Sequence, residues 1–341
     1  MKTSIGLALG SLWLLSVYAP ASAASYHIAH ELPLDGEAGF DDLKVDSSGR
    51  VFVTRGTFVQ VIDADGSRVI GVIPDTPGVH SIAFAEDLGR GYISAGRSSS
   101  VIVFDLKTLA RLDEIKTTGE NPDAIIYDSN THRVLSFNGR GRNATVIDAV
   151  KNEVIGTIAL DAKPEFAAAD DAGTVYVNLE DKNSVAAIDA KTMTILHVWP
   201  IAGCDGPTGL ALDRAHRRLF SVCSNKIMAV IDAGSRRVVA TVPIGGFVDG
   251  AAFDPGEGLA FASAGEGTIT IVHEDAPDRF SVVQTLPTQP GARTMTLDER
   301  THRVYVSTAT YKETAPAPGA PQSGPRFTAV PGSYKLLTIE P

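Results

Sequence analysis

The sequence is poor in the residues that most enzyme and nucleic-acid signatures require. Cys204 and Cys223 are the only cysteines, and neither CxxC nor CxxCH occurs, which removes thioredoxin-like and c-haem chemistry. There is no Gly-x-Ser-x-Gly elbow, no His-Glu-x-x-His pair and no Gly-Lys-Ser/Thr phosphate loop, so the common hydrolase and nucleotide signatures are missing. Cations are outnumbered, 30 Lys and Arg against 40 Asp and Glu. Affinity for nucleic acid comes largely from basic residues neutralising phosphates, so this balance argues against DNA or RNA as the main partner. Long amphipathic stretches are scarce, which excludes helical repeats. After the first residues no apolar run approaches the ~20 residues needed to cross a bilayer.

What is present begins with a leader. Lys2, an apolar run from Ile5 to Ala19 and the small residues Ala21-Ser22-Ala23 have the layout of a secretory signal, with cleavage expected after Ala23. The mature chain is then 24–341, periplasmic or secreted, with no membrane span. Loss of Lys2 takes its formal charge from −10 to −11. In an oxidising compartment Cys204 and Cys223 are expected to pair, holding a loop against a strand end and stabilising by about 2–4 kcal/mol. The alternative is two buried free thiols.

With 44% hydrophobic and 21% charged residues the chain is globular in composition, and its strongest signal is a repeat. A short apolar strand ending in Asp recurs at Asp63, Asp105, Asp148, Asp189 and Asp232, with spacings of 42, 43, 41 and 43. Ile271-Val272-His273 is a degenerate sixth copy. A β-branched and aromatic strand precedes each of these and appears seven times, from Val51-Phe52-Val53-Thr54 through Val175-Tyr176-Val177-Asn178 to Val304-Tyr305-Val306-Ser307. Both registers predict an all-β fold, a seven-bladed β-propeller with four-stranded blades.

The ends of the chain predict how the ring closes. After its second strand the seventh unit enters a Pro-rich insertion, 312–331, which predicts no ladder and stands either as a lid over the mouth or as a solvated loop. Tyr334 to Ile339 then supplies a third strand, and Tyr26 to Leu32 is left to complete blade seven. An open β-solenoid would not explain this split unit.

At these strands the sequence resembles the YVTN-repeat, or YncE-like, propeller family, as at Val175-Tyr176-Val177-Asn178. The segments Gly119 to Ala124, Lys163 to Phe166 and Gly291 to Met295 look like the same family. The resemblance implies a periplasmic propeller. It implies no catalytic residue, because the signature lies in strands that build the sheet.

Aligning the units places one residue per blade where the inner strand starts: Asp41, His80, Asp123, Glu165, Thr208, Asp249 and Arg293. All are polar. Four carboxylates around a channel mouth repel one another, at about 2 kcal/mol per pair for a separation of about 8 Å and an effective dielectric near 20. Arg293 and His80 offset part of this. The remainder calls for water, raised carboxyl pKa values, or a bound divalent cation or small polar ligand. The plain alternative is that these side chains cap strand ends. The loops after each second strand form a second tier on the same face, with Arg97, Asn138, Arg140, Arg142, Lys182 and Lys226; the glycine-rich run Asn138 to Asn143 reads either as an anion cradle or as a solvated turn.

Strand alternation sets His27 and His30 on opposite sides, so they are not expected to share a metal. His132, His216 and His302 recur at the turn between first and second strands, on the other face of the disc, and read as turn residues. The leading expectation is a binding or scaffold propeller that engages a small polar ligand or a protein partner at the funnel mouth. A metal-assisted, lactonase-like hydrolase with Asp41, Asp123, Glu165 and Asp249 as metal ligands and His80 as base is the second. Single-stranded nucleic acid held by Arg97, Arg140 and Arg142 is the third.

Overall fold

The computed structural model describes residues 25–36, 39–314 and 326–341. The leader expected at 1–23 lies outside them. Seven four-stranded antiparallel sheets stand in a ring, and the inner strand of each touches the inner strands of both neighbours, the last returning to the first. Numbered in chain order, the blades begin with the inner strands Leu43–Val45, Val79–Ala85, Pro122–Asp128, Pro164–Ala169, Pro207–Asp213, Val248–Asp254 and Met295–Asp298.

Second strands such as Val51–Arg55 and Arg218–Cys223 are buried along their whole length, because each is covered on both faces by adjacent blades. That explains why they read as continuous apolar runs. Outermost strands such as Thr194–Pro200 are largely exposed.

The seventh blade is composite. Met295–Asp298, Arg303–Thr308 and Lys335–Glu340 are joined by His27–Pro33 as the outer strand, in the register His27 to Glu340 through Pro33 to Lys335. A bulge between Ile28 and His30 shifts that register, so that His27 faces Glu340 and His30 faces Thr338. The two histidines therefore lie on one side of the strand, where simple alternation set them on opposite sides. Among the described residues neither belongs to a cluster with metal-holding geometry.

The insertion also differs from expectation at its flanks. Tyr311–Thr314 pairs with Arg326–Ala329 as a two-stranded ribbon. Neither flank contains proline, so nothing prevents a ladder there; residues 315–325 lie outside the described part of the chain.

The repeating aspartates turn out to be turn residues. Oδ1 of Asp105 accepts the backbone N–H groups of Lys107 and Thr108, and Asp148 and Asp189 do the same for their own turns. These backbone donors hold the carboxyls of Asp105 and Asp189 below the usual range. A second set at the end of the inner strands, including Asp46, Asp213 and Asp254, caps the next turn likewise. Much of the acidity of the sequence is thus spent on turns.

Cys204 and Cys223 form a disulfide with Cα atoms 5.5 Å apart and a sequence separation of 19. It ties the loop entering blade 5 to the end of that blade's second strand. In the chain-entropy picture a loop of this length contributes about 3 kcal/mol. Replacing both cysteines by alanine is therefore expected to lower the unfolding free energy by about that amount, measured by urea denaturation. An unchanged midpoint would show that the bridge constrains nothing.

Candidate functional site

Local backbone irregularity aims the ring residues. In blades 2 to 6 the pairing of first and second strands slips at the start of the inner strand, between Val79 and Ile82, Pro122 and Ile125, Pro164 and Ala167, Pro207 and Leu210, and Val248 and Gly250. His80, Asp123, Glu165, Thr208 and Asp249 sit inside these slips. A bulge releases a residue from the ladder and redirects its side chain, here into the funnel. Asp41 and Arg293 stand just before the short inner strands of blades 1 and 7.

All seven residues line one cavity of about 430 Å³. Their carbonyls are gripped by small polar side chains from adjacent second or inner strands. Ser94 donates to the Asp123 carbonyl, Asn178 to that of Thr208 at 2.9 Å, Ser263 to that of Arg293, and Thr294 to that of Asp41. In blades 2, 4 and 6 the polar residue that recurs in the second strand thus locks the blade to the ring residue of the next.

The charges are organised as a chain of ion pairs. Arg293 bridges two blades, with Nε 3.2 Å from Asp249 Oδ2 and a terminal nitrogen 3.5 Å from Asp41 Oδ1. Asp41 Oδ2 accepts from His80 Nδ1 at 2.5 Å, and the same nitrogen lies 3.7 Å from Asp123 Oδ1. The run Asp249, Arg293, Asp41, His80, Asp123 spans five consecutive blades across the join between the last and the first. On blade 4, Lys163 Nζ lies 2.6 Å from Glu165 and also contacts Glu180. Thr208 interrupts the ring, its hydroxyl donating to the Val248 carbonyl at 3.3 Å.

Burial would lower the pKa of His80, but its hydrogen bond to Asp41 and the charges of Asp123 and Asp41 outweigh that and raise it to about 9. The carboxyls behave differently. Burial lifts Asp123 to about 6 despite His80, Glu165 to about 7 despite Lys163, and Asp249 to about 7 despite Arg293. The cations present leave these three acids only partly compensated at neutral pH. Gly96 makes room for the arrangement, since a Cβ there would meet His80 Nε2 at 2.6 Å.

The rim residues divide. Arg97 and Arg140 are exposed and line a cavity of about 830 Å³ beside His80. Lys182 is exposed. Arg142 is engaged by Asp181 at 2.7 Å and the Asp161 carbonyl at 2.9 Å, and Lys226 lies 3.2 Å from Glu266 of the next blade. Asn138 is not on the rim: it is fully buried and donates to Asn143 and Thr145. The glycine-rich run is therefore pinned at both ends and is built as a turn.

Several participants had no marker in the repeat alignment. Asp42 is buried behind the ring, accepting from the Ser81 hydroxyl at 2.5 Å and paired with Lys44. Lys163 reaches Glu165, together with Glu180 of the second-tier loop that the repeat does place on this face. An apolar cleft of about 980 Å³ adjoins the funnel, lined by Phe40, Phe247, Pro290 and Tyr311, with Phe247 and Arg293 common to both. Phe247 is 80% exposed and has φ 57°, a left-handed backbone that a bulky aromatic residue rarely adopts. Its only sequence signal was the preceding Gly245-Gly246.

The raised acids set a pH dependence. A carboxyl whose folded pKa lies above its unfolded value contributes most stability below the unfolded value and loses it as pH rises through the folded one. Asp123→Asn, which keeps the shape and removes the recessed charge, is expected to raise stability on the order of 1 kcal/mol at about pH 8, the gain vanishing below about pH 4. Paired melts across that range check this, and a loss of stability at the higher pH would contradict it. His80 carries the same sign: its ion pair is complete below about pH 6.5 and lost through about pH 9, which an imidazole titration by NMR would follow.

No family model matches the chain, and no curated protein does. Solved structures match it along most of its length. The WD40 repeats of RRP9 superpose with a TM-score of 0.77 at 11% identity, covering 93% of this chain and all of that one. A chain of the Kuenenia stuttgartiensis hydrazine synthase gives 0.70 at 17%, covering 80% and 94%, and one of the mitotic checkpoint complex gives 0.72 at 14%, covering 89% and 95%. At these identities the likeness concerns the fold alone: the chain is a seven-bladed β-propeller with WD40-like structural neighbours.

Proposed function

We propose that this protein is a binding propeller whose funnel mouth receives a basic group of its partner, with an apolar group beside it lying in the cleft of Phe40, Phe247 and Tyr311. One observation carries the reading. Asp123, Glu165 and Asp249 are recessed in one cavity with too little positive charge around them, so a cation entering the funnel would relieve burial already incurred by the fold. The cavity has room for a lysine or arginine head, and the strained, exposed Phe247 stands at the boundary between acid and apolar surfaces. A protein segment with a basic residue next to an apolar one fits both. Propellers with protein partners, such as that in the mitotic checkpoint complex, support the class. The disulfide and the leader layout support a place outside the cytoplasm, and the strand motifs support YVTN-repeat membership.

A second reading is favoured by one geometry. Ligand atoms of Asp41, His80 and Asp123 lie within 4.8 Å of one another, which would suit a divalent cation and, with it, metal-assisted hydrolysis. Against it, a metal would have to displace a proton held to about pH 9 on His80. Nucleic acid retains Arg97 and Arg140, exposed on the rim, but Arg142 is committed to Asp181.

Fluorescent Arg-Phe-amide and Lys-Phe-amide, with Glu-Phe-amide as control, test the first reading by anisotropy. Saturable binding of the basic probes alone is expected, weakened about tenfold by Asp123→Asn/Asp249→Asn or by Phe247→Ala and unaltered by Lys182→Ala. Equal binding of the acidic probe, or indifference to those variants, would sink it. A rise in melting temperature with divalent cation that Asp123→Asn/Glu165→Gln abolishes would favour the second.

A further inference from the structure

On the face opposite the funnel, the structure assigns a second site: we infer that Asp213, His216 and Glu274 bind a divalent transition-metal cation that staples blade 5 to blade 6. Asp213 ends the inner strand of blade 5, His216 follows in the turn, and Glu274 comes from the third strand of blade 6. One ligand atom from each lies within 4.8 Å of the other two.

The repeat shows why Glu274 reaches this place. In blades 1 to 5 the third strand ends at an Asp that accepts backbone N–H groups and turns the chain. In blade 6 that position is His273, which instead contacts Asp275 at 2.8 Å. Without the capping carboxylate the strand runs on, and Thr268–Ala276 and Arg279–Pro287 form a hairpin of two nine-residue strands where the third strands of blades 2 to 5 have six residues. Arg218 of blade 5 holds the extended tip, donating from Nε to the Pro277 carbonyl at 2.6 Å and pairing with Asp278 at 2.8 Å. The degenerate sixth copy of the repeat is therefore the point where the ladder lengthens and carries an acid over the neighbouring blade.

Among the described residues, Glu274 is a buried acid poorly supplied with partners. Its side chain is 5% exposed, and neither carboxylate oxygen accepts a well-formed hydrogen bond. Among the described residues its one ion-pairing neighbour is His216 Nδ1 at 3.1 Å, a nitrogen already directed at Asp213 Oδ2, 2.7 Å away. Arg218 is committed to Asp232, Asp278 and two carbonyls. Burial, with Asp213 alongside, pushes the Glu274 carboxyl up. Two recessed carboxylates facing one imidazole lack positive charge, and an ion between them supplies it.

The donor set selects the metal. One imidazole nitrogen and two carboxylates, completed by water on the half-exposed His216 side, suit Zn²⁺ or Mn²⁺. Ca²⁺ wants six to eight oxygens and Mg²⁺ keeps most of its water, so both fit poorly.

The test is a melt of the purified protein with EDTA or with Zn²⁺, Mn²⁺ or Ca²⁺ in excess, for the wild type, Glu274→Gln, His216→Ala and Asp123→Asn. A rise of about 2–4 °C with Zn²⁺ or Mn²⁺ is expected in the wild type and in Asp123→Asn, and none in Glu274→Gln or His216→Ala. Retention of Asp123 dependence alone would place the ion in the funnel and overturn this site. So would no shift with any cation, or a shift that survives both blade-junction variants. Glu274→Gln keeps the side-chain shape and His216 is half exposed, so folding is preserved; Co²⁺ absorption that requires His216 gives an independent readout.

Discussion

The structure depends on the pairing of His27–Pro33 with Lys335–Glu340. This joins the two ends of the chain in one sheet, so that blade 7 has four strands and the ring has no open join between its last and first blades. It also brings Arg293 of blade 7 between Asp41 of blade 1 and Asp249 of blade 6. The central ion-pair chain crosses the join, and its geometry exists only in the closed ring. Tyr305 reinforces the same boundary by donating to the Ala64 carbonyl at 3.0 Å.

Between other blades the contacts repeat in kind. Near the channel, Ser94, Asn178 and Ser263 hold the carbonyls of the next blade's ring residue. Toward the opposite face, Arg50, Arg90 and Arg218 reach from one blade to a turn carbonyl of the next. These neutral or fully paired contacts stabilise the frame. The funnel is built otherwise, with Asp123, Glu165 and Asp249 kept above their ordinary pKa values by burial. The fold thus concentrates poorly compensated charge in one cavity, while turn aspartates such as Asp105, Asp148 and Asp189 are satisfied by backbone donors; this contrast is what the proposed binding role rests on.

The two faces differ in how their irregularity arises. On the funnel side a slip in the first ladder recurs in five blades and aims one residue each time. On the other side a single departure from the repeat, His273 in place of Asp, lengthens one hairpin and delivers Glu274 to the turn of blade 5. The first is a property of the family of blades, the second of one blade only.

Much of this was legible from residue order. The repeat of about 42 residues, the seven second strands and the unmatched Tyr26 to Leu32 determined the number of blades and their closure, because strand periodicity and turn chemistry are local. They also identified seven of the residues that line the funnel, one per blade, since position within a repeat maps to depth in the disc. Local pattern had no means of finding that Asn138 is buried, that His27 and His30 share a side, or that Lys163, Phe247 and Glu274 stand at the sites. Those follow from bulges, from one lengthened hairpin and from the approach of neighbouring blades, all set by packing between units far apart in sequence. The strongest sequence signal, the repeating Asp, proved to be turn chemistry. The groups proposed to bind are those whose charge is left poorly compensated, and compensation is a property of three-dimensional surroundings that only the assembled ring decides.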